Sequence, residues 1–240
     1  MTFALDPATL QLRDRVRAAA ATLATAAATA DASAAWPEAT RQQAAALLPA
    51  SGDWLGRVVA LEELAAVSAS LALAAATGTA APASGARGWS GLRGLDVPGA
   101  RAGLGGPDGV LTVAAVLVGL SRAAIDAALE PMRAARAAGG RPEQEQWGVA
   151  DAATEVDAAR LLLWQAAAGA GDATAAAMAR LQARLAAEAA VAAARRVLGA
   201  DGVAAGSVVD RVGRDVATAA LVFGGADSDE AAVAAGVLPG

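Results

Sequence analysis

The chain has 240 residues, 56% of them hydrophobic and only 3% aromatic, and a formal charge of −5. It contains no Cys, His, Lys, Tyr or Asn, and all nineteen basic residues are Arg. This excludes an imidazole acid or base, a thiol nucleophile, a lysine Schiff base and a Cys/His metal site. The acidic balance argues against a nucleic-acid partner, because binding phosphate needs clustered basic residues.

A chain of this length can bury a sizeable core without disulfides. Lack of cysteine fits a cytoplasmic protein, and the start Met1-Thr-Phe-Ala-Leu-Asp6 lacks the basic head and apolar run of a signal peptide. The longest uncharged window, 64–86, is mostly Ala, Ser, Thr and Gly with Pro82 inside, so no membrane span is expected. The apolar fraction is largely Ala, a strong helix former, and the expectation is an all-α protein.

In chain order, Asp6-Pro7 sets a cap and a first-turn proline for a helix over 7–28, with Leu10, Val16, Ala20 and Leu23 on its inner face. Pro37 opens a second helix carrying Leu47 and Leu48, and 49–56 is a turn. A third helix over 58–76 turns Leu61, Leu64, Val67, Leu71 and Ala75 inward. These three make an N-terminal bundle over 1–78. Gly, Pro, Ala and Ser then dominate a linker over 79–106. Its glycine-rich end, Gly103-Leu-Gly-Gly-Pro-Asp-Gly109, resembles a phosphate-cradling loop only in composition. No strand of the βαβ kind precedes it, so a plain linker is the better reading.

The region 107–240 reads as an antiparallel four-helix bundle plus a final helix. Val110, Val113, Leu117, Leu120 and Ala124 recur at helical spacing, and Gly139-Gly140-Arg141-Pro142 ends that helix. The next carries Val149, Ala153, Val156 and Leu163 inward. Asp172 caps a third, with an inner stripe of Met178, Leu181, Leu185, Ala189 and Ala192. After Leu198-Gly199 the fourth shows Val209, Val212, Val216, Ala219 and Phe223. Asp227 with Glu230 caps a last helix over 228–237. The five tryptophans, Trp36, Trp54, Trp89, Trp147 and Trp164, are expected to be packing residues. Asp151, Glu155, Asp157 and Arg160 have the spacing of a solvated or helix-bridging charged face. Arg211, Arg214 and Asp215 read as tethers between helices.

Five segments of this region, in order, resemble the C-terminal half of the acyl-CoA dehydrogenase family. They are Gly119-Leu-Ser-Arg-Ala-Ala-Ile-Asp-Ala-Ala-Leu129, the Arg136 to Pro142 stretch, Ala150-Asp-Ala-Ala-Thr-Glu-Val-Asp-Ala-Ala-Arg-Leu-Leu162, Leu198-Gly-Ala-Asp-Gly202 and Val209-Asp-Arg-Val-Gly-Arg-Asp215. Arg13-Asp14 and Glu62-Glu63-Leu64-Ala65 resemble the family's N-terminal helices. In such a protein a whole β-domain that grips the flavin would stand where this chain has 79–106, and only Gly88-Trp-Ser-Gly-Leu-Arg93 and Leu95-Asp-Val-Pro98 look like scraps of it.

The resemblance implies a catalytic Glu at one of two places, and this chain has it at neither. One falls on Phe223, the other on Gly109, where Asp108 is the one carboxylate near enough to substitute, although as the residue before a helix start it reads more simply as an N-cap. It also implies an Arg that reaches the flavin pyrophosphate of a neighbouring subunit, and Arg136 matches it, while the family's accompanying Gln and Phe are absent. Three functions follow as expectations: a non-catalytic subunit pairing with a flavin-bearing, full-length relative; a homo-oligomeric helical protein that binds or converts a small acyl or polyketide-like molecule without a cofactor; and a stand-alone acyl-CoA dehydrogenase. The isolated chain is expected to hold no cofactor, with FAD possible only at an interface with a partner, and no metal. Homo- or hetero-oligomers are expected in every case.

Overall fold

A computed structural model of the chain describes residues 4–32, 36–50, 52–79, 91–93, 95–140, 143–169 and 172–238. The described residues form helices and no strand: α1 (Pro7–Ala32), α2 (Glu38–Ala46), α3 (Trp54–Val67), α4 (Ala69–Thr77), α5 (Val97–Gly103), α6 (Gly106–Ala137), α7 (Glu143–Ala168), α8 (Ala173–Leu198), α9 (Ala200–Val203), α10 (Val208–Val222) and α11 (Ala226–Val237). The all-α expectation holds. So does the four-helix bundle, made of α6, α7, α8 and α10.

Helix α6 is the axis of the molecule. It packs against α8, α7 and α10 on one side and α3 and α4 on the other, so one apolar core runs through both halves of the chain. It is the one described helix long and apolar enough to cross a membrane, but 72% of its apolar window is buried inside the protein. Being surrounded by other helices accounts for that composition without a bilayer. Gly119 sets the closeness of the joint with α3. A Cβ there would lie 2.4 Å from the Glu62 carbonyl oxygen, so any larger residue would push the two helices apart.

Several expectations need correction. The helix expected over 58–76 is two helices, α3 and α4. Ser68 between them is extended and its hydroxyl accepts from the Leu71 N–H, while Asp53 starts α3 four residues before the expected position by accepting from Gly56. Leu47 and Leu48 follow α2 instead of belonging to it. At the other end of the chain, α11 begins at Ala226, so Asp227 lies inside its first turn and caps nothing.

The fourth correction concerns α8. Its buried residues are Ala176, Ala179, Ala183, Ala186, Ala187, Ala190, Ala193 and Ala194 with Ala177 and Val191. The expected inner stripe faces outward instead: Met178 is 40% exposed, Leu185 46%, Ala192 is exposed, and Leu181 and Ala189 are half-buried. Two helical stripes coexist in this sequence. The alanine stripe won the interior because small side chains let α8 approach α6 and α7 closely, and interaxial distance depends on the side chains at the contact.

The segment expected to be a linker is partly packed. Leu92, Leu95, Val97 and Ala100 are buried, and Leu92 adopts a left-handed backbone, φ 53°, uncommon for a residue with a Cβ. Its N–H donates to the Asp215 carboxylate at 2.6 Å. Asp215 is therefore a tether, as expected, but from α10 to this segment. Arg214 pairs within its own helix, with Asp210. Trp36 is buried, yet Trp147 is 70% exposed and does not pack as expected; Trp89 lies outside the described residues.

Candidate functional site

The positions that bear on chemistry sit at three ends of the bundle. Asp108 lies in the first turn of α6, exposed, one turn past the Gly105 cap position. It is not an N-cap: it benefits only from the helix dipole, which favours an acid there. Next to it Gly109 is buried, and a Cβ at that place would lie 2.0 Å from the Leu104 carbonyl oxygen. No side chain of any kind fits there.

Arg136 is exposed in the last turn of α6. With a rise of about 1.5 Å per residue, the 28 residues between Asp108 and Arg136 hold them about 42 Å apart. One chain cannot bring this acid and this cation to one ligand. Arg136 is followed by Ala137 and Ala138 and then Gly139, with no amide or aromatic side chain beside it. That set does not fit the flavin contacts that the family pattern implies.

Phe223 ends α10 and is buried, 8% exposed. Arg180 of α8 locks the corner: its Nη1 donates to the Phe223 carbonyl at 2.6 Å and its Nε to Asp229 Oδ2 at 3.0 Å. Asp229, itself 2% exposed, is the carboxylate of this corner, and it is held in a guanidinium pair. The expected apolar role of Phe223 is what the structure gives.

The most charged buried cluster lies at the Glu62-Glu63 pair, which the sequence offers only as part of the resemblance to the family's N-terminal helices. Glu62 and Glu63 of α3 are 4% and 2% exposed. Glu63 is gripped from two sides, by Arg17 of α1 at 3.0 and 2.8 Å and by Arg122 of α6 at 2.7 and 2.8 Å. Glu62 accepts from Arg160 of α7 at 2.8 Å, with Arg122 at 3.6 Å. Burial pushes the Glu62 carboxyl above its ordinary range despite Arg160 and Arg122. Burial acts the same way on Glu63, but the bonds from Arg17 and Arg122 outweigh it and hold that carboxyl below its ordinary range. Perturbed acids are a common mark of active sites. Here the oxygens are occupied by guanidinium groups from three other helices, which is the arrangement of a joint. The sequence did carry a signal: two adjacent glutamates inside the otherwise apolar run from Val58 to Ala65. Arg160 bridges helices as its spacing suggested, while Glu155 accepts from Gln182 of α8 and Asp151 faces solvent.

A cavity of about 450 Å³ opens where the N-terminal residues meet α3, α7 and the start of α8, lined by Leu55, Leu161, Trp164, Gln165 and Asp172 among others. Its one acid, Asp172, spends an oxygen on capping α8, accepting from Thr174 and Ala175. Among the described residues no three acidic side chains gather as metal ligands.

The model of the acyl-CoA dehydrogenase C-terminal domain matches residues 109–238, more than half of the chain. The chain belongs to the acyl-CoA dehydrogenase family. Solved structures extend the likeness of fold to the whole length. The glutaryl-coenzyme A dehydrogenase glutaryl-CoA complex is 18% identical, with a TM-score of 0.77 over 98% of this chain and 96% of that one. Butyryl-CoA dehydrogenase from Megasphaera elsdenii is 15% identical, with a TM-score of 0.79 over 99% and 100%. A chain from the electron transferring flavoprotein of Acidaminococcus fermentans is 15% identical, with a TM-score of 0.80 over 100% of both. A search of curated proteins finds no match. Against this family background the chain keeps the helical frame, and the described residues supply no strand where the family pattern implies a β-domain.

Proposed function

We propose that this chain is a non-catalytic acyl-CoA dehydrogenase relative, a subunit that works beside a flavin-bearing member of the family. The observation that carries the reading is the state of the two base positions. Phe223 is sealed beneath the Arg180–Asp229 pair, and Gly109 stands where the Leu104 backbone leaves no room for a side chain. Removing the α-proton of an acyl thioester requires a base within hydrogen-bond reach of the carbon acid. Losing a positioned base alone costs about 10² to 10⁴ in rate, whereas losing the hydride acceptor abolishes oxidation.

In such an assembly Arg136, exposed at the end of α6, would meet an anionic group held by the neighbouring subunit. Co-purification from the native host tests this, followed by an absorption spectrum. The expected result is a flavin-bearing relative in the complex, and a colourless protein when this chain is expressed alone.

The cavity beside Trp164 favours a second reading, a homo-oligomeric protein that binds a small acyl or polyketide-like molecule without a cofactor. Its volume lies within the range of small-molecule sites, and its lining is mainly apolar with Gln165 and Asp172 as polar points. Retention of medium-chain acyl compounds by the purified chain, lost in Trp164→Ala, would support it. Nothing in the geometry favours a stand-alone dehydrogenase.

A further inference from the structure

The cavity beside Trp164 has a charge pattern that selects among ligands. Leu55, Leu161 and the Trp164 ring give it apolar walls, and none of the residues lining it is an arginine. Asp172 is its one charged group. The Thr174 and Ala175 N–H groups both donate to a single oxygen of that carboxylate, Oδ1, at 2.9 and 3.1 Å. The start of α8, the one positive helix end at the cavity, is thereby met by Oδ1, and Oδ2 has no donor among the described residues.

A second negative feature lies in the same wall. Gln165 and Ala168, in the last turn of α7, and Gly169 just after it also line the cavity. The C-terminal end of a helix carries partial negative charge on its carbonyl oxygens, and this turn has no basic residue to offset it. A Cβ on Gly169 would meet the Gln165 and Ala166 carbonyl oxygens at 3.4 and 3.8 Å, so these oxygens lie beside a bare glycine.

An anion entering here would meet a carboxylate and a helix C-terminus and find no arginine. We propose that the cavity takes a small organic cation, a protonated amine carrying an apolar ring or chain. Its ammonium group pairs with Asp172 and the negative end of α7, and its apolar part fills the space between Leu55 and Leu161. Trp164 serves both parts, because its ring is apolar and an indole face is the best aromatic partner for a cation. The volume of about 450 Å³ suits a small molecule. The amine occupies the cavity of the second reading above in place of an acyl ligand, and does so whether or not the chain pairs with a flavin-bearing relative.

Calorimetric titration of the full chain with three ligands of similar shape, phenethylamine, phenethyl alcohol and phenylpropionate, at neutral pH and low salt tests this. The amine should bind about fivefold more tightly than the alcohol, the scale of one exposed ion pair with a cation–π contact, and the acid should bind most weakly. Asp172→Asn keeps a capping oxygen and removes the charge. It should bring the amine level with the alcohol while the helical circular dichroism spectrum stays unchanged. Gln165→Arg, at an exposed position of α7, should weaken binding of the amine and leave that of the alcohol as it was. No binding of the amine at millimolar concentration, an alcohol bound as tightly as the amine, or a preference that survives both substitutions would overturn the inference. Tighter binding of the acid than of the amine would overturn it too, while supporting the acyl ligand of the second reading.

Discussion

Two sets of positions in this molecule hold opposite lessons about charge. On α3, Glu62 and Glu63 are almost fully buried and both are matched by arginines from α1, α6 and α7. At the ends of α6 and α10, where the family pattern implies a catalytic acid, the chain has Gly109 and Phe223. In this chain acidic side chains join helices at Glu62 and Glu63, and neither Gly109 nor Phe223 carries one. An uncompensated buried charge is strongly destabilising, so loss of an arginine partner at the joint would damage the fold, whereas a non-catalytic role, as proposed above, would place no such demand on positions 109 and 223. This asymmetry fits a family member retained for its shape and surfaces.

The largest expected effect is that of Phe223→Ala. Burial to 8% exposure and the loss of a large side chain predict about 3 to 5 kcal/mol, and a variant as stable as the parent would mean that the corner is an open cleft. The joint tests the other side of the comparison. Glu63→Ala leaves the half-buried Arg122 without its main partner and should cost about 3 kcal/mol in chemical denaturation, the low end of the range for removing one member of a buried pair. A variant within about 1 kcal/mol of the parent would show that the joint contributes little. Asp215→Ala should cost about 1 to 3 kcal/mol, because it leaves the buried Leu92 N–H without an acceptor, and amide exchange near Leu92 should quicken.

The smallest effect separates the two glutamates by pH. Glu63 has its folded value held below the ordinary 4.5. The stability it adds is present above 4.5 and is lost as the pH falls through the lower folded value. Glu62 is shifted the other way. Its contribution is complete below 4.5 and is lost as the pH rises through the higher folded value. Glu63→Gln should therefore flatten the loss of stability on the acid side of 4.5, and Glu62→Gln the loss above it. Denaturant midpoints measured across this pH range would show equal profiles for the two variants if the pair were equivalent.

Much of the frame was legible because the periodicity of α6, α7 and α10 is unambiguous: Val113, Leu117, Leu120, Val149, Val156, Leu163, Val209, Val212 and Val216 are all buried where their spacing puts them. The sequence misled at α8 for a physical reason. Alanine and larger apolar residues both recur there at helical spacing, and transfer energy favours burying the larger ones, yet close packing against α6 selected the alanines. The break at Ser68 was missed because its flanks, Val67 and Ala69, continue the apolar pattern through the residue that interrupts it. At the candidate site, the buried state of Phe223 followed from its step after Ala219. The sealing of its corner did not, because Arg180 and Asp229 come from two other helices. The Glu62–Glu63 joint needs Arg17, Arg122 and Arg160, spread over three helices, and no local spacing announces a contact of that range.

Whether this chain itself oxidises acyl-CoA is decided by an assay of the purified homomer. The chain is saturated with FAD, passed through gel filtration, and supplied with acyl-CoA and an artificial electron acceptor. A non-catalytic subunit should be recovered colourless and show no turnover above buffer, under conditions in which a flavin-bearing relative is active. A yellow homomer that reduces the acceptor with acyl-CoA would contradict the proposal.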